Sequence, residues 1–144
     1  MRMSRLKYCF AGLLLFVSIL SVTPVLASTS APVFTGTVTI PKTHGVCGIY
    51  VYQPFNASAG QVLAGSLSAN NTVNVYVMTA AEFNAWQHQV ATGPTCTPPH
   101  PTAVQINTTN YTLSVTIPTT GTYYLVINNL SPSTATTKIS ANLT

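Results

Sequence analysis

The sequence predicts an all-β protein, an antiparallel β-sandwich of about seven or eight short strands with one short helical insert. Three observations carry this. Apolar residues recur with a period of two along most of the chain after residue 30, as in Tyr111, Leu113, Val115 and Ile117, the spacing of a half-buried strand. Clusters of Pro, Gly, Asn and Ser separate these runs at short intervals, as in sandwiches. The period changes once, at Thr79-Ala80-Ala81-Glu82, where a capping box announces a helix.

Three segments are expected: a signal peptide at 1–27, an N-terminal strand segment at 28–41 and a sandwich domain at 42–144. Arg2, Arg5 and Lys7 precede an apolar run from Phe10 through Val22, and Val25-Leu26-Ala27 follows with small or apolar residues where a signal peptidase reads. That order is a secretory signal cleaved after Ala27. The run falls short of the ~18 residues that span a bilayer, so no membrane span is expected after cleavage. Cys9 would leave with the signal.

The first strand, Val33 to Ile40, puts Phe34, Val38 and Ile40 on one face and threonines on the other. Gly48 through Gln53 and Gln61 through Ala69 read as the next two strands, with Pro54 and Ala57-Ser58-Ala59-Gly60 as the turn between them. Val73, Val75 and Val77 alternate with Asn74 and Tyr76 in a fourth. The capping box then opens a helix from Ala80 to about Gln89, in which Phe83 and Trp86, three apart, lay one face on the sandwich. Trp86 reads as a core plug and His88 as solvent-facing.

Residues 91–103 form a loop in which Pro94, Pro98, Pro99 and Pro101 forbid regular structure. Val104 to Ile106 pairs briefly, and Tyr111 to Ile117 and Thr122 to Asn128 flank a tight turn at Pro118-Thr119-Thr120-Gly121. Thr137 to Leu143 is the last strand.

Glu82 is the single Asp or Glu among 144 residues. Paired-carboxylate hydrolysis, Ser-His-Asp relays and carboxylate-lined metal cages therefore cannot be assembled. Glu82 itself reads as the helix cap. With no nucleophile elbow or HExxH pattern either, no catalytic residue, cofactor or metal site is expected. Beyond Ala27 the charged side chains are Lys42, Lys138 and Glu82. No basic stripe remains to track phosphates, so nucleic acid is not an expected partner.

Cys47 and Cys96 make an even count in an exported chain, which reads as one disulfide. The alternative is zinc: His44 and Cys47, with Cys96 and His100, have the ligand types and spacing of a tetrahedral site. An oxidising exterior disfavours it, because thiols must be deprotonated to bind metal.

So charge-poor an exterior needs another source of solubility. Sequons supply one, at Asn56, Asn70, Asn107, Asn110, Asn129 and Asn142. A working environment at low pH is a compatible reason, since a chain without carboxylates has little stability to lose on protonation.

Two segments, Thr72-Val73-Asn74-Val75-Tyr76-Val77-Met78-Thr79-Ala80-Ala81-Glu82-Phe83 and Gly121-Thr122-Tyr123-Tyr124-Leu125-Val126-Ile127-Asn128-Asn129, resemble those of GOLD-like and bacterial pre-peptidase C-terminal β-sandwich domains. The resemblance covers roughly residues 46 to 144. It implies an accessory or structural module on a secreted or surface protein, with binding or assembly rather than catalysis. Calcium-binding members use Asp ligands, which this chain lacks, so no metal site carries over. The signal, the sequons, the Thr- and Asn-rich composition and the strand directly behind Ala27 also resemble the thread-type surface filament subunits of thermoacidophilic archaea. That resemblance implies an N-terminal strand that completes the next subunit's sheet.

The expected function is thus a secreted, N-glycosylated structural or adhesive protein of the cell surface. Self-association would run through an assembly strand whose apolar face is Phe34, Val38 and Ile40. The same strand could instead pair within its own sandwich, as consecutive strands usually do. A carbohydrate- or peptide-binding module is the other class, with Tyr50, Tyr52, Tyr76, Trp86 and Tyr124 as a platform for a glycan or other surface ligand.

Overall fold

The computed structural model describes residues 30–42, 47–92, 96, 98 and 100–144. The expected signal peptide, His44, Pro94 and Pro99 lie outside the described residues.

The elements are β1 (Ala31–Ile40), β2 (Ile49–Ala57), β3 (Val62–Thr79), α1 (Ala80–Thr92), β4 (Ala103–Thr116), β5 (Gly121–Asn129) and β6 (Ala135–Leu143). They form one antiparallel sheet in the order β1-β6-β3-β5-β2, with β4 also paired to β3. The all-β class with a short helix is as expected. The described residues hold six strands, because two pairs of expected strands are each one continuous strand.

The reason lies at the middle of β3. Its first half, Leu63 to Ala69, pairs β6, and its second half, Asn74 to Thr79, pairs β5. β4 follows β3 along both halves with register shifts between Ser68 and Val75. The strand bends here without ending. Asn70 Oδ1 accepts the Thr136 N–H at 2.7 Å and Asn71 Nδ2 donates to the Thr134 carbonyl at 2.7 Å. Side-chain amides thus satisfy backbone groups that a broken ladder would leave unpaired. The bend divides the curled sheet into two halves, β1-β6-β3 and β3-β5-β2.

Between the halves lies the main core, with Ile40, Leu63, Leu67, Val75, Leu113, Leu125, Ile127 and Ile139 among its buried members. Gly65 is needed where β3 crosses β6: a Cβ there would lie 1.8 Å from the Ser140 carbonyl oxygen. A second cluster, Tyr76, Met78, Phe83, Trp86 and Val126, lies on the other face of the β3-β5-β2 half, under α1.

Helix α1 starts as the sequence predicts. The Thr79 N–H donates to Glu82 Oε2 at 2.6 Å and the Glu82 N–H to Thr79 Oγ1 at 3.2 Å, the reciprocal pattern of a capping box. Thr102 Oγ1 adds a bond to the same carboxylate at 3.3 Å. The helix runs to Thr92, a little past the expected end.

β2 corrects a second boundary. It continues through Pro54 and Phe55 to Ala57, where the sequence suggested a turn from Pro54 on. Proline is compatible with a strand at the edge of a sheet, where a missing N–H need not break a ladder, and β2 has β5 as its one partner. The turn itself shrinks to the residues around Ser58 and Gly60, closed by the Gln61 N–H on the Ser58 carbonyl.

Candidate functional site

The strands β1 and β2 end the sheet on its two sides, and the curl brings them near each other without a ladder between them. The apolar face of β1 points into the gap. Phe34 and Val38 are half-buried there, while Ile40 is fully buried in the core. A bulge between Pro32 and Phe34 leaves Val33 outside the pairing and packed against the core. From there Phe34 to Ile40 pairs Ala141 to Ala135 of β6 without further shifts.

Val51, Tyr52 and Gln53 of β2, Leu125 and Ile127 of β5 and Ile139 of β6 complete the walls of this seam, which encloses about 30 Å³. Such a space admits a water or two and is far below the ~300 Å³ of a preformed small-molecule site. Its character is that of two apolar layers left unsealed along their edges.

The connection between β1 and β2 is fastened by two neighbouring amides at the end of β5. Asn129 Nδ2 reaches the Ile40, Pro41 and Ser133 carbonyls at 3.2, 3.0 and 2.9 Å, and its Oδ1 accepts the Ser131 N–H at 2.9 Å. Asn128 Nδ2 donates to the Cys47 carbonyl at 3.2 Å. Both asparagines are fully buried. Gly48, at φ 74°, passes so close that a Cβ would lie 2.5 Å from the Asn129 carbonyl oxygen.

Cys47 and Cys96 are joined as a disulfide across 49 residues of sequence, a closure that the loop-entropy account values at about 4 kcal/mol. With both sulfurs joined, the thiolates required by the zinc alternative do not exist. No group of three potential metal ligands lies together among the described residues.

The structure separates the six sequons. Asn56, Asn70, Asn107 and Asn110 are exposed, and Asn142 is half-buried on the outer face of β6. Asn129 is the exception: its Nδ2, the atom a glycan would occupy, is buried and fully engaged with backbone carbonyls. In this fold it is a clasp for the end of β1. The reading of Asn129 as a sugar site had its signal in the tripeptide. The signal for the clasp was weaker, a pair of amides closing an apolar strand.

The aromatic platform is largely consumed by packing. Trp86 is fully buried, with Nε1 donating to the Cys96 carbonyl at 3.0 Å, and Tyr76 is buried beneath it. Phe83 stacks on Tyr124 at 4.1 Å between ring centroids. Tyr50 lies 4.7 Å from Trp86, and its hydroxyl oxygen accepts from Gln87 Nε2. Tyr52 alone of the five stays 51% exposed. His88 and His100 are exposed.

No helix among the described residues is long and apolar enough to cross a membrane. Compared with known protein families and with curated proteins, the chain matches none.

Proposed function

We propose that this chain is a secreted, N-glycosylated structural or adhesive protein of the cell surface, of the kind represented by thread-type archaeal filament subunits. Its copies would assemble by offering β1 to a neighbour. The observation that carries this reading is the seam: β1 is laddered on one side only, and its apolar face borders an unsealed gap between two layers. The ladder to β6 can be made equally by the β1 of another copy, the low-cost route by which identical elements are exchanged between protomers. Main-chain bonds would supply affinity, and Phe34 and Val38 would fill the neighbour's seam. The role is not catalytic, with the lone carboxylate side chain occupied as a helix cap.

The test is association of the protein from Ser28 to Thr144 followed by light scattering, with a Phe34→Asp variant. Burying an unpaired carboxylate on the apolar face of β1 is costly, so assemblies of the wild type are expected to dissociate in the variant. A chain shortened to begin after Ile40 should bind a synthetic Ala31–Ile40 peptide. A wild type that stays monomeric at high concentration, with a shortened chain that unfolds, would make β1 an ordinary edge strand and overturn the reading.

Tyr52 favours a second reading, a carbohydrate- or peptide-binding module. Its exposed ring lies 4.9 Å from Phe83 and 5.9 Å from Tyr124 between centroids, one aromatic tile of the sort that stacks on sugars. Glycan-array binding abolished by Tyr52→Ala in a monomeric protein would select it.

A further inference from the structure

Among the described residues, three strands, β1, β2 and β4, have a side with no ladder. An open edge recruits other edges unless something blunts it. The three are not equally protected. β2 contains Pro54, which has no N–H to offer, with the sequon asparagine Asn56 two residues on. β1 has Pro32 near its start and then neither sequon nor charge as far as Pro41.

β4 is the longest of the three at 14 residues, and it leaves the aliphatic Val104 46% and Ile106 49% exposed. It has no proline like Pro54 of β2; its ladder to β3 shifts register near Asn107 and is regular on either side. Its two sequons, Asn107 and Asn110, instead fall in the middle of it. Asn107 sits where β4 and β3 shift register, at φ 52°, a conformation asparagine tolerates better than most residues. Its backbone N–H turns inward to Asn74 Oδ1 at 2.9 Å, and the residue itself is exposed. Asn110 is exposed three residues further along the same strand.

We propose that N-glycans on Asn107 and Asn110 cover the free edge of β4 and thereby confine association of this protein to the β1 side. The inference rests on the glycosylated, self-associating reading above. In each transfer Nδ2 bonds to the anomeric carbon of a lipid-phosphate-linked oligosaccharide, the lipid phosphate leaves and one amide proton is released. Both residues are exposed, Asn110 Nδ2 donating to Thr109 Oγ1 at 3.4 Å across the surface, whereas Asn129 is fully buried. A branched sugar at either position projects over the strand and keeps another edge from approaching Val104 and Ile106.

Glycopeptide mapping of the protein from a glycosylating host comes first. Sugar on Asn107 or Asn110 and none on Asn129 is expected, while bare peptides at both 107 and 110 overturn the proposal even where Asn56 and Asn70 carry sugar. The Asn107→Gln/Asn110→Gln double variant is then compared with wild type by light scattering. At least a severalfold rise in apparent mass is expected, reversed by adding Ile106→Lys, which blunts the β4 edge without touching the seam. Asn142→Gln, which removes a sequon from the outer face of β6, should leave the mass unchanged. An unchanged mass in the 107/110 variant, or a rise that Ile106→Lys does not reverse, overturns the proposal. Failure of the β1 reading reads out separately, as wild-type protein insensitive to Phe34→Asp.

Discussion

The two halves of β3 belong to the same strand and live in different surroundings. From Leu63 to Ser68 burial alternates, with Leu63 and Leu67 in the core and Ser66 and Ser68 exposed; from Val73 to Met78 every residue is buried. The cause is the outward-facing set. Where it is Ser66 and Ser68, flanked by Thr35, Thr37 and Thr39 of β1 and Thr136 and Lys138 of β6, water is the second layer. Where it is Tyr76 and Met78, flanked by Val126 and Tyr124, α1 is. An antiparallel sheet can face water on one side, so a second layer is added where side chains demand it. In the assembly proposed above, the half fixed by α1 and the disulfide is the frame, and the half without a cover carries the strand offered to a neighbour. Segments with fewer buried contacts are the ones that open at lower cost.

The sharpest way to break this contrast is to remove its anchor. Trp86→Ala takes a fully buried indole from between α1 and the sheet and removes the indole N–H that donates to the Cys96 carbonyl. A loss of about 3–5 kcal/mol is expected, against less than about 0.5 kcal/mol for Thr37→Ala on the uncovered face. Urea unfolding of both variants measures it. Equal losses would mean that α1 is not what distinguishes the halves.

Gly65→Ala probes the uncovered half from inside. Its Cβ would meet the Ser140 carbonyl oxygen at 1.8 Å, backbone that no side-chain rotation can clear. Overpacking of this kind costs about 1–3 kcal/mol, while Gly121→Ala, with nothing near its Cβ, should be neutral within about 0.5 kcal/mol. A tolerated Gly65→Ala would show that β6, and β1 with it, can slide outward from β3. The exchange of β1 would then be easier than the frame suggests.

Much of this was legible beforehand. Alternation gave the fold class, because period two survives tertiary context wherever one face is buried. The capping box gave the start of α1 and the role of Glu82 together, since both depend on the same four residues. Phe83 and Trp86 at helical spacing gave the face of α1. What stayed hidden depends on long-range partners. The bend at Asn70-Asn71 could be told from a turn only by the Thr134 carbonyl and the Thr136 amide at the start of β6, which arrive from more than sixty residues away. Pro54 looked like a terminator because a sequence does not say which strands are edges. Asn129 carried a sugar motif and a structural amide at once, and only its burial against Ile40 and Pro41 decides between them.

The smallest expected effect concerns protons, and it too distinguishes the halves. Between about pH 2 and 5, Glu82 is the one carboxylate side chain in the sequence, so native and unfolded chains bind nearly the same number of protons and the melting temperature should change little. The alkaline side is different because of Tyr76. Burial under α1 raises its phenol above the usual value near 10, and the side-chain bond with Asn74 offsets part of that rise. A raised folded-state value favours the neutral form, so its contribution to stability is intact below the unfolded value and is lost as pH climbs through the folded one. Melting temperature should therefore fall above about pH 10, and Tyr76→Phe, which keeps the ring and removes the proton, should flatten that fall. A steep loss below pH 5 would contradict the account from composition. An alkaline slope unchanged in Tyr76→Phe would show that the covered half does not hold the phenol apart from water as its burial implies.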